Sequence, residues 1–414
     1  MSSAKRVVVT GGWGYGNLGD DAILVSTLGL LAKVGANQIV ALTYQSDSSL
    51  LEGVTGARFV DSMHRRCDNG VAEGLFRPID SSITRQKYLH SKIVNLAQQK
   101  MLIGKPYDLS TLAKPFGDEV LRDASLFVVA GGGYLNEGWI SKTSSVLDEL
   151  TVACDLGVPV VVAGPTFGGF RDLRMKSRFY DAFRRAQAIW VRDEFSRNDL
   201  RDYGIEAEVI PDVALADPDF SPCDRGSREV GLIVNKVDEY LTPCLIEVLQ
   251  QMRHEKQCGA VTLVMSRLWD CDLRAIRQFL ARARAIGLVA SLFVPGDVFD
   301  LERKLRTCSL VISENLHGLI IASRNGVPVM AINDYPVGNA NHRKFVAFME
   351  QLASSRFVIG SRTSKVELLD LVLQRIESSA EALQSSMALC ERTRDQALGF
   401  FVRALTPKAQ VAAV

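Results

Sequence analysis

Nowhere in the chain do about 18 apolar residues follow one another, the length a membrane-spanning helix requires. The opening MSSAKRVVVTGG also lacks the apolar core of about 7–15 residues that marks a secretion signal. An excess of one charge is missing too: 48 Lys and Arg face 47 Asp and Glu, which leaves no overall basic surface for a nucleic-acid backbone. Any electrostatic partner must meet a local patch. The eight cysteines, at 67, 154, 223, 244, 258, 271, 308 and 390, contain no C-x-x-C pair and no metal-ligand spacing. They read as buried or incidental thiols in a reducing compartment. His64, His90, His254 and His342 lack neighbouring carboxylates or cysteines at ligand spacing, so no metal site is expected. These absences predict a cytoplasmic globular protein that binds no nucleic acid.

At 414 residues, with 47% hydrophobic and 23% charged, the chain exceeds what one hydrophobic core of about 250–300 residues accommodates, and two domains follow. Short β-branched runs alternate with longer amphipathic stretches, the pattern of strand–helix–strand units around a parallel sheet. Strands are expected at 6–10, 38–43, 126–130, 159–163, 188–192 and 208–210, then at 230–235, 261–266, 291–294, 310–313 and 328–332. The segment ADPDFSPCDRGSR, 216–228, reads as the linker. The predicted fold is α/β, two Rossmann-like domains with parallel sheets facing a central cleft, at 1–218 and 229–360. A helical segment and tail at 361–414 is expected to cross back onto the first domain. Two stretches are locally basic, eight Lys or Arg against three acids at 64–105 and seven against two at 171–192. The ordinary account of each is a solvated face, and the sharper one a surface for a phosphate-bearing or membrane-anchored partner.

In such sheets ligands bind beyond the carboxyl ends of the strands, and here those positions are rich in glycine. Gly11, Gly12, Gly14, Gly16 and Gly19 follow the first strand, Gly131, Gly132 and Gly133 a later one, and Gly164, Gly168 and Gly169 the next. They are expected to form loops that let a ligand approach exposed N–H groups. Gly14-Tyr15-Gly16-Asn17-Leu18-Gly19 satisfies G-x-G-x-x-G and raises a nicotinamide or flavin oxidoreductase. Against it, no acid stands at the end of the second strand for a ribose, and Asp20 and Asp21 would oppose a pyrophosphate. The two aspartates suit a helix cap by their position, but with Asn17 they also suit a polyhydroxyl ligand better than a phosphate. In LVISENLHGLIIASRNGVPV, 310–329, His317 falls in the first turn of the helix after a core strand, where a ligand in the cleft reaches it and a proton can be exchanged.

Five blocks in this order resemble the polysaccharide pyruvyl transferase family over residues 6–352. They are Gly14 to Leu24, Gly131-Gly132-Gly133-Tyr134-Leu135, Gly164-Pro165-Thr166-Phe167-Gly168, Val191 to Ser196 with Pro211-Asp212, and Leu316-His317-Gly318-Leu319-Ile320. The resemblance implies a glycosyltransferase-B-like architecture. It also implies transfer of pyruvate from phosphoenolpyruvate, a co-substrate rather than a cofactor, onto two hydroxyls of a sugar, forming a ketal and releasing phosphate. It makes His317 and Arg192 the catalytic, donor-site residues. The substrate-binding set it implies is Gly16, Asn17, Gly19, Asp20, Gly132, Gly133, Glu137, Gly164, Asn315 and Lys344, with the glycine loops, Asn17, Asp20 and Glu137 on the acceptor side. A donor with a carboxylate and a phosphate independently requires a guanidinium, whose planar fork suits both groups. The chain departs from the family at Asn315, where an arginine often stands, so either Arg324, Arg343 or Lys344 supplies the lost anion contact or the donor pocket differs. Tyr335 and Lys344 are also farther apart than is usual.

The leading expectation is a cytoplasmic ketal-pyruvate transferase acting on a lipid-linked precursor of a surface polysaccharide, with peripheral contact at an acidic membrane face. A sugar-nucleotide-dependent glycosyltransferase shares the fold and stands as the alternative, with a non-catalytic sugar-binding relative next.

Overall fold

The computed structural model describes residues 5–13, 17–43, 55–63, 109–168, 170–216, 227–234, 241–255, 257–266, 273–337, 339–360 and 363–406. Gly16, the basic stretch at 64–105 and most of the linker at 216–228 lie outside these residues.

Seven strands build the first sheet: β1 (Arg6–Thr10), β2 (Gln38–Thr43), β3 (Arg58–Asp61), β4 (Ala124–Leu135), β5 (Val160–Phe167), β6 (Ala188–Val191) and β7 (Glu208–Val209). They lie in the order β3-β2-β1-β4-β5-β6-β7, all parallel. Between them run α1 (Leu18–Lys33), α2 (Leu109–Phe116), α3 (Ile140–Asp155), α4 (Leu173–Arg184) and α5 (Glu194–Asp202). The second sheet holds β8 (Glu229–Ile233), β9 (Ala260–Val264), β10 (Val289–Phe293), β11 (Leu310–Ser313), β12 (Val329–Ile332) and β13 (Val358–Ile359), again parallel, in the order β10-β9-β8-β11-β12-β13. Its helices are α6 (Leu241–His254), α7 (Leu273–Ala285), α8 (Val298–Arg306), α9 (Leu316–Arg324) and α10 (Ala340–Gln351), followed by α11 (Lys365–Glu377) and α12 (Ser379–Leu405).

Both sheets are doubly wound. Helices cover both faces, so the central strands are apolar continuously rather than alternately: Val7, Val8 and Val9 are all fully buried. The strand order reverses between β1 and β4 in one sheet and between β8 and β11 in the other, and ligands bind beyond such reversals. The architecture is two Rossmann-like domains of the glycosyltransferase-B type.

The glycine runs depart from expectation. Gly131 to Gly133 and Gly164 do not begin loops: β4 and β5 continue through them, pairing Gly132 with Pro165 and Leu135 with Phe167. The reason is close approach of backbones, since a Cβ on Gly131 would stand 2.6 Å from the carbonyl oxygen of Gly164. The long strands carry Tyr134 and Phe167 well past the rest of the sheet.

Helix α12 returns to the first domain. Its Phe400 and Phe401 pack on the buried Trp190 of β6, ring centroids 5.3 and 5.8 Å away, and Arg403 meets both carboxylate oxygens of Glu208 at 2.7 Å. One apolar core runs from β1 and α1 through Val213–Leu215 into the second sheet and α12. Among the described cysteines, Cys258, Cys308 and Cys390 are buried, and burial pushes their thiols up to about 11, 12 and 12. No helix among the described residues is long and apolar enough to cross a membrane.

Candidate functional site

Between the carboxyl edges of the two sheets lies a cavity of about 710 Å³. The first domain walls it with Gly12 beyond β1, Asn17 and Asp20 of the α1 start, Gly133, Glu137 and Lys142 beyond and near the end of β4, Thr166 of β5, and Arg192 beyond β6. Asn315 and His317 beyond β11, and Tyr335, Arg343 and Lys344 around the start of α10, wall it from the second.

Two asparagines shape this site by capping helices. Asn17 stands in extended backbone before α1 and accepts from the Gly19 N–H at 3.3 Å, while its amide donates to Asp20 at 2.6 Å. Asn315 does the same for α9, accepting from the N–H groups of His317 and Gly318 at 3.0 and 3.3 Å, and Ser313 closes the turn onto its backbone. An arginine could not cap α9 in this way, which gives the asparagine at 315 a local reason. Its Nδ2 is buried and makes no hydrogen bond among the described residues, and neither does Nε2 of His317.

Arg192, 5% exposed, is clamped from two sides. Its Nε donates to Thr166 Oγ1 at 2.5 Å, and Nη1 pairs with Asp212. Its Nη2 points towards Gly133. Thr166 in turn donates to Asp193, which caps α5. Asp212 rather than Asp193 or Glu194 is thus the ionic partner of Arg192. Asp212 also lies 3.7 Å from Nε2 of His317, so one buried carboxylate faces the key cation of the first domain and the key imidazole of the second. Burial by itself would raise its pKa, but Arg192, His317 and the Ala214 N–H hold it well below the usual carboxylate range.

Gly19 has no place on the cavity wall; it is the seat of His317, because a Cβ there would overlap the imidazole ring. Nor do Gly132 and Gly164 line the cavity. Gly132, at φ +134°, is covered by the Tyr134 ring, and a Cβ on Gly164, at φ +83°, would meet the Trp190 indole at 2.8 Å. Gly133, Asn17, Asp20, Asn315 and Lys344 do line it. So does Glu137, one of whose oxygens accepts from the backbone N–H groups of Arg171 and Asp172.

Of the three candidates for the missing arginine, Arg324 is elsewhere. It is 5% exposed, paired with Glu302 at 2.7 Å, and donates to the Ala214 carbonyl at 3.0 Å, which joins α9 to the first domain. Arg343 and Lys344 are on the wall with Tyr335, and Arg343 stacks over Phe195 of the first domain at 5.2 Å. The basic stretch at 171–192 is partly neutralised: Arg178, Arg184, Arg185 and Arg192 pair with Asp148, Asp181, Asp155 and Asp212. Among the described residues no group of three His, Cys, Asp or Glu is placed to hold a metal ion.

Sequence reasoning assigned no role to Asp212, Thr166 or Lys142. Asp212 follows the end of β7 in the quoted pair Pro211-Asp212, and its position beyond a strand was an available signal. Lys142 carried none, since a lysine in an amphipathic helix reads as solvated, yet it is 4% exposed.

No curated protein matches the sequence. Among solved structures, the chain resembles UDP-GlcNAc 2-epimerase from Neisseria meningitidis bound to UDP-GlcNAc, with 11% identity, 97% of this chain and 99% of that one covered, and a TM-score of 0.59. A glycosyltransferase from Rickettsia africae gives 9%, 98%, 100% and 0.56, and MurG of Acinetobacter baumannii 12%, 97%, 99% and 0.50. At these identities the likeness is one of fold. The family described as polysaccharide pyruvyl transferase matches residues 17–334, from the cap of α1 through His317 to two residues past β12. The chain belongs to the polysaccharide pyruvyl transferase family.

Proposed function

We propose that the protein transfers pyruvate from phosphoenolpyruvate to two hydroxyls of a saccharide, closing a ketal and releasing phosphate. The observation that carries this reading is the set of polar groups around α9. Nδ2 of Asn315, a buried donor with no hydrogen bond among the described residues, and Nε2 of His317, 3.7 Å from Asp212, stand at a helix N-terminus on the wall of a cavity that also receives Arg192, Arg343 and Lys344. A carboxylate and a phosphate on one small molecule would satisfy both.

His317 then gives a proton to the methylene carbon while a sugar hydroxyl adds to the neighbouring carbon. The carbon–oxygen bond to phosphate breaks, the second hydroxyl adds to the same carbon, and its proton returns to the imidazole. Arg192, immobilised by Thr166 and Asp212, neutralises the donor without having to reorganise. The reading requires no metal or cofactor. The acceptor is a cytoplasmic precursor of a surface polysaccharide. Leu173, 77% exposed at the start of α4 between Arg171 and Arg174, suits an acceptor presented at an acidic membrane surface.

Thermal shift tests the donor. Phosphoenolpyruvate at about 100 times its dissociation constant should stabilise the wild type by about 2.7 kcal/mol, and His317→Ala should lose that shift. Stabilisation by a uridine-diphosphate sugar instead, with none from phosphoenolpyruvate, would replace this reading with glycosyl transfer; no response from either would favour a non-catalytic relative.

A further inference from the structure

His317 accounts for the proton that reaches carbon, but the hydroxyl that attacks must lose one as well. We propose that Lys142 is the base that takes this proton from the acceptor hydroxyl. The assignment rests on the transfer reading above and deepens it.

Lys142 sits in the first turn of α3, 4% exposed, and it is part of the cavity wall, on the same domain as Asn17, Asp20 and Glu137 and across the boundary from His317. Its Nζ stands 5.9 Å from the centre of the Tyr134 ring. The charged groups that act on it are Asp20, at the start of α1, and Glu149, two turns along α3. Each carboxylate is held by other donors: Asn17 reaches Asp20 at 2.6 Å, and Thr10 Oγ1 and the Met63 N–H reach Glu149 at 2.6 and 2.9 Å. Tyr134 adds no charge, because burial raises its phenol far above the usual value and its O–H donates to the Ala130 carbonyl at 2.7 Å. Glu137, Asp193 and Asp199 are the other acids of the wall.

An ordinary lysine, with a pKa of about 10.4, is almost wholly protonated at neutral pH and cannot accept a proton. Burial lowers Lys142 to about 7, with Glu149 and Asp20 pulling against it, so a large share of the amine is free base. Gly19 and Asp20 are adjacent in α1. Since Gly19 seats His317 and Asp20 acts on Lys142, the acid and the base flank one short segment.

The protons balance. In the first addition the hydroxyl oxygen bonds to the donor carbon, its proton passes to Lys142, and His317 protonates the methylene. As the bond to phosphate breaks, Lys142 gives its proton to the leaving phosphate, and the second hydroxyl returns one to His317. Both groups end in their starting states.

The test is pyruvyl transfer by the full chain with phosphoenolpyruvate, followed against pH. The wild-type rate should rise with pH through about 7, because the base must be deprotonated. Lys142→Met should keep the phosphoenolpyruvate thermal shift and the acceptor KM, lower kcat by on the order of 10²–10⁴-fold, and lose the rising limb. Lys142→Arg keeps the charge between Asp20 and Glu149 but cannot give up a proton; it should fold and remain as inactive. A kcat near wild type in either variant, a limb that persists in Lys142→Met, or a loss confined to acceptor KM would overturn the assignment. If Lys142→Met does not fold, Lys142→Arg decides alone. An inactive wild type overturns the transfer reading and this one with it, whereas an active wild type with an unaffected variant overturns only this one.

Discussion

Asp212→Asn is expected to destabilise the protein by about 3–5 kcal/mol and to lower turnover by on the order of 10³-fold. The side chain keeps its shape, and its remaining oxygen can still cap Ala214, so neither effect comes from lost volume. What goes is charge. Arg192 is left as an uncompensated guanidinium inside the protein, and His317 loses the carboxylate 3.7 Å from its Nε2. The sign of the pH dependence follows. The native pKa of Asp212 lies below its unfolded value of about 3.9, so its stabilisation is complete above that pH and is lost as pH falls towards the native value. Urea unfolding of both proteins should give a constant gap between pH 5 and 8 that narrows below pH 4. A gap independent of pH down to 3 would mean that Asp212 acts through packing alone.

The second large effect is at Gly19. In a helix, Gly→Ala ordinarily stabilises by about 1 kcal/mol. Here the new methyl would enter the His317 ring, so the substitution should instead cost about 1–3 kcal/mol. It should also reduce kcat/KM for phosphoenolpyruvate by on the order of 10²-fold, since displacing the imidazole by about 1 Å spoils its alignment. A more stable Gly19→Ala with full activity would show that the ring does not rest on α1.

Much of this was legible in the chain. The bounds of β1, β2 and β11 follow from their β-branched runs, because strands buried on both faces have nothing but apolar side chains to show. β3 and β13 were missed for the opposite reason: they are edge strands of four and two residues, partly exposed, with little apolar signal. In the sequence the glycines read as a ligand's requirement, whereas Gly131, Gly132 and Gly164 answer to neighbouring backbone, tyrosine and tryptophan, contacts that no local pattern announces. At the site, the positions beyond strands pointed to Asn17, Gly133, Arg192, Asn315 and His317, all of which line the cavity. The pairing of Arg192 with Asp212 and the burial of Lys142 depend on segments distant in sequence, which is why the reading of isolated blocks did not reach them.

The apolar core does not stop at the boundary between the sheets. Residues of β1, α1 and Val213–Leu215 share it with α9, β12 and α12, and Arg324 fastens α9 to the Ala214 carbonyl. Neither half can expose its share without stripping the other, so the protein should behave in calorimetry as one cooperative unit, with a single endotherm whose van't Hoff and calorimetric enthalpies agree. Two resolved endotherms would mean that each half has a core sufficient for itself.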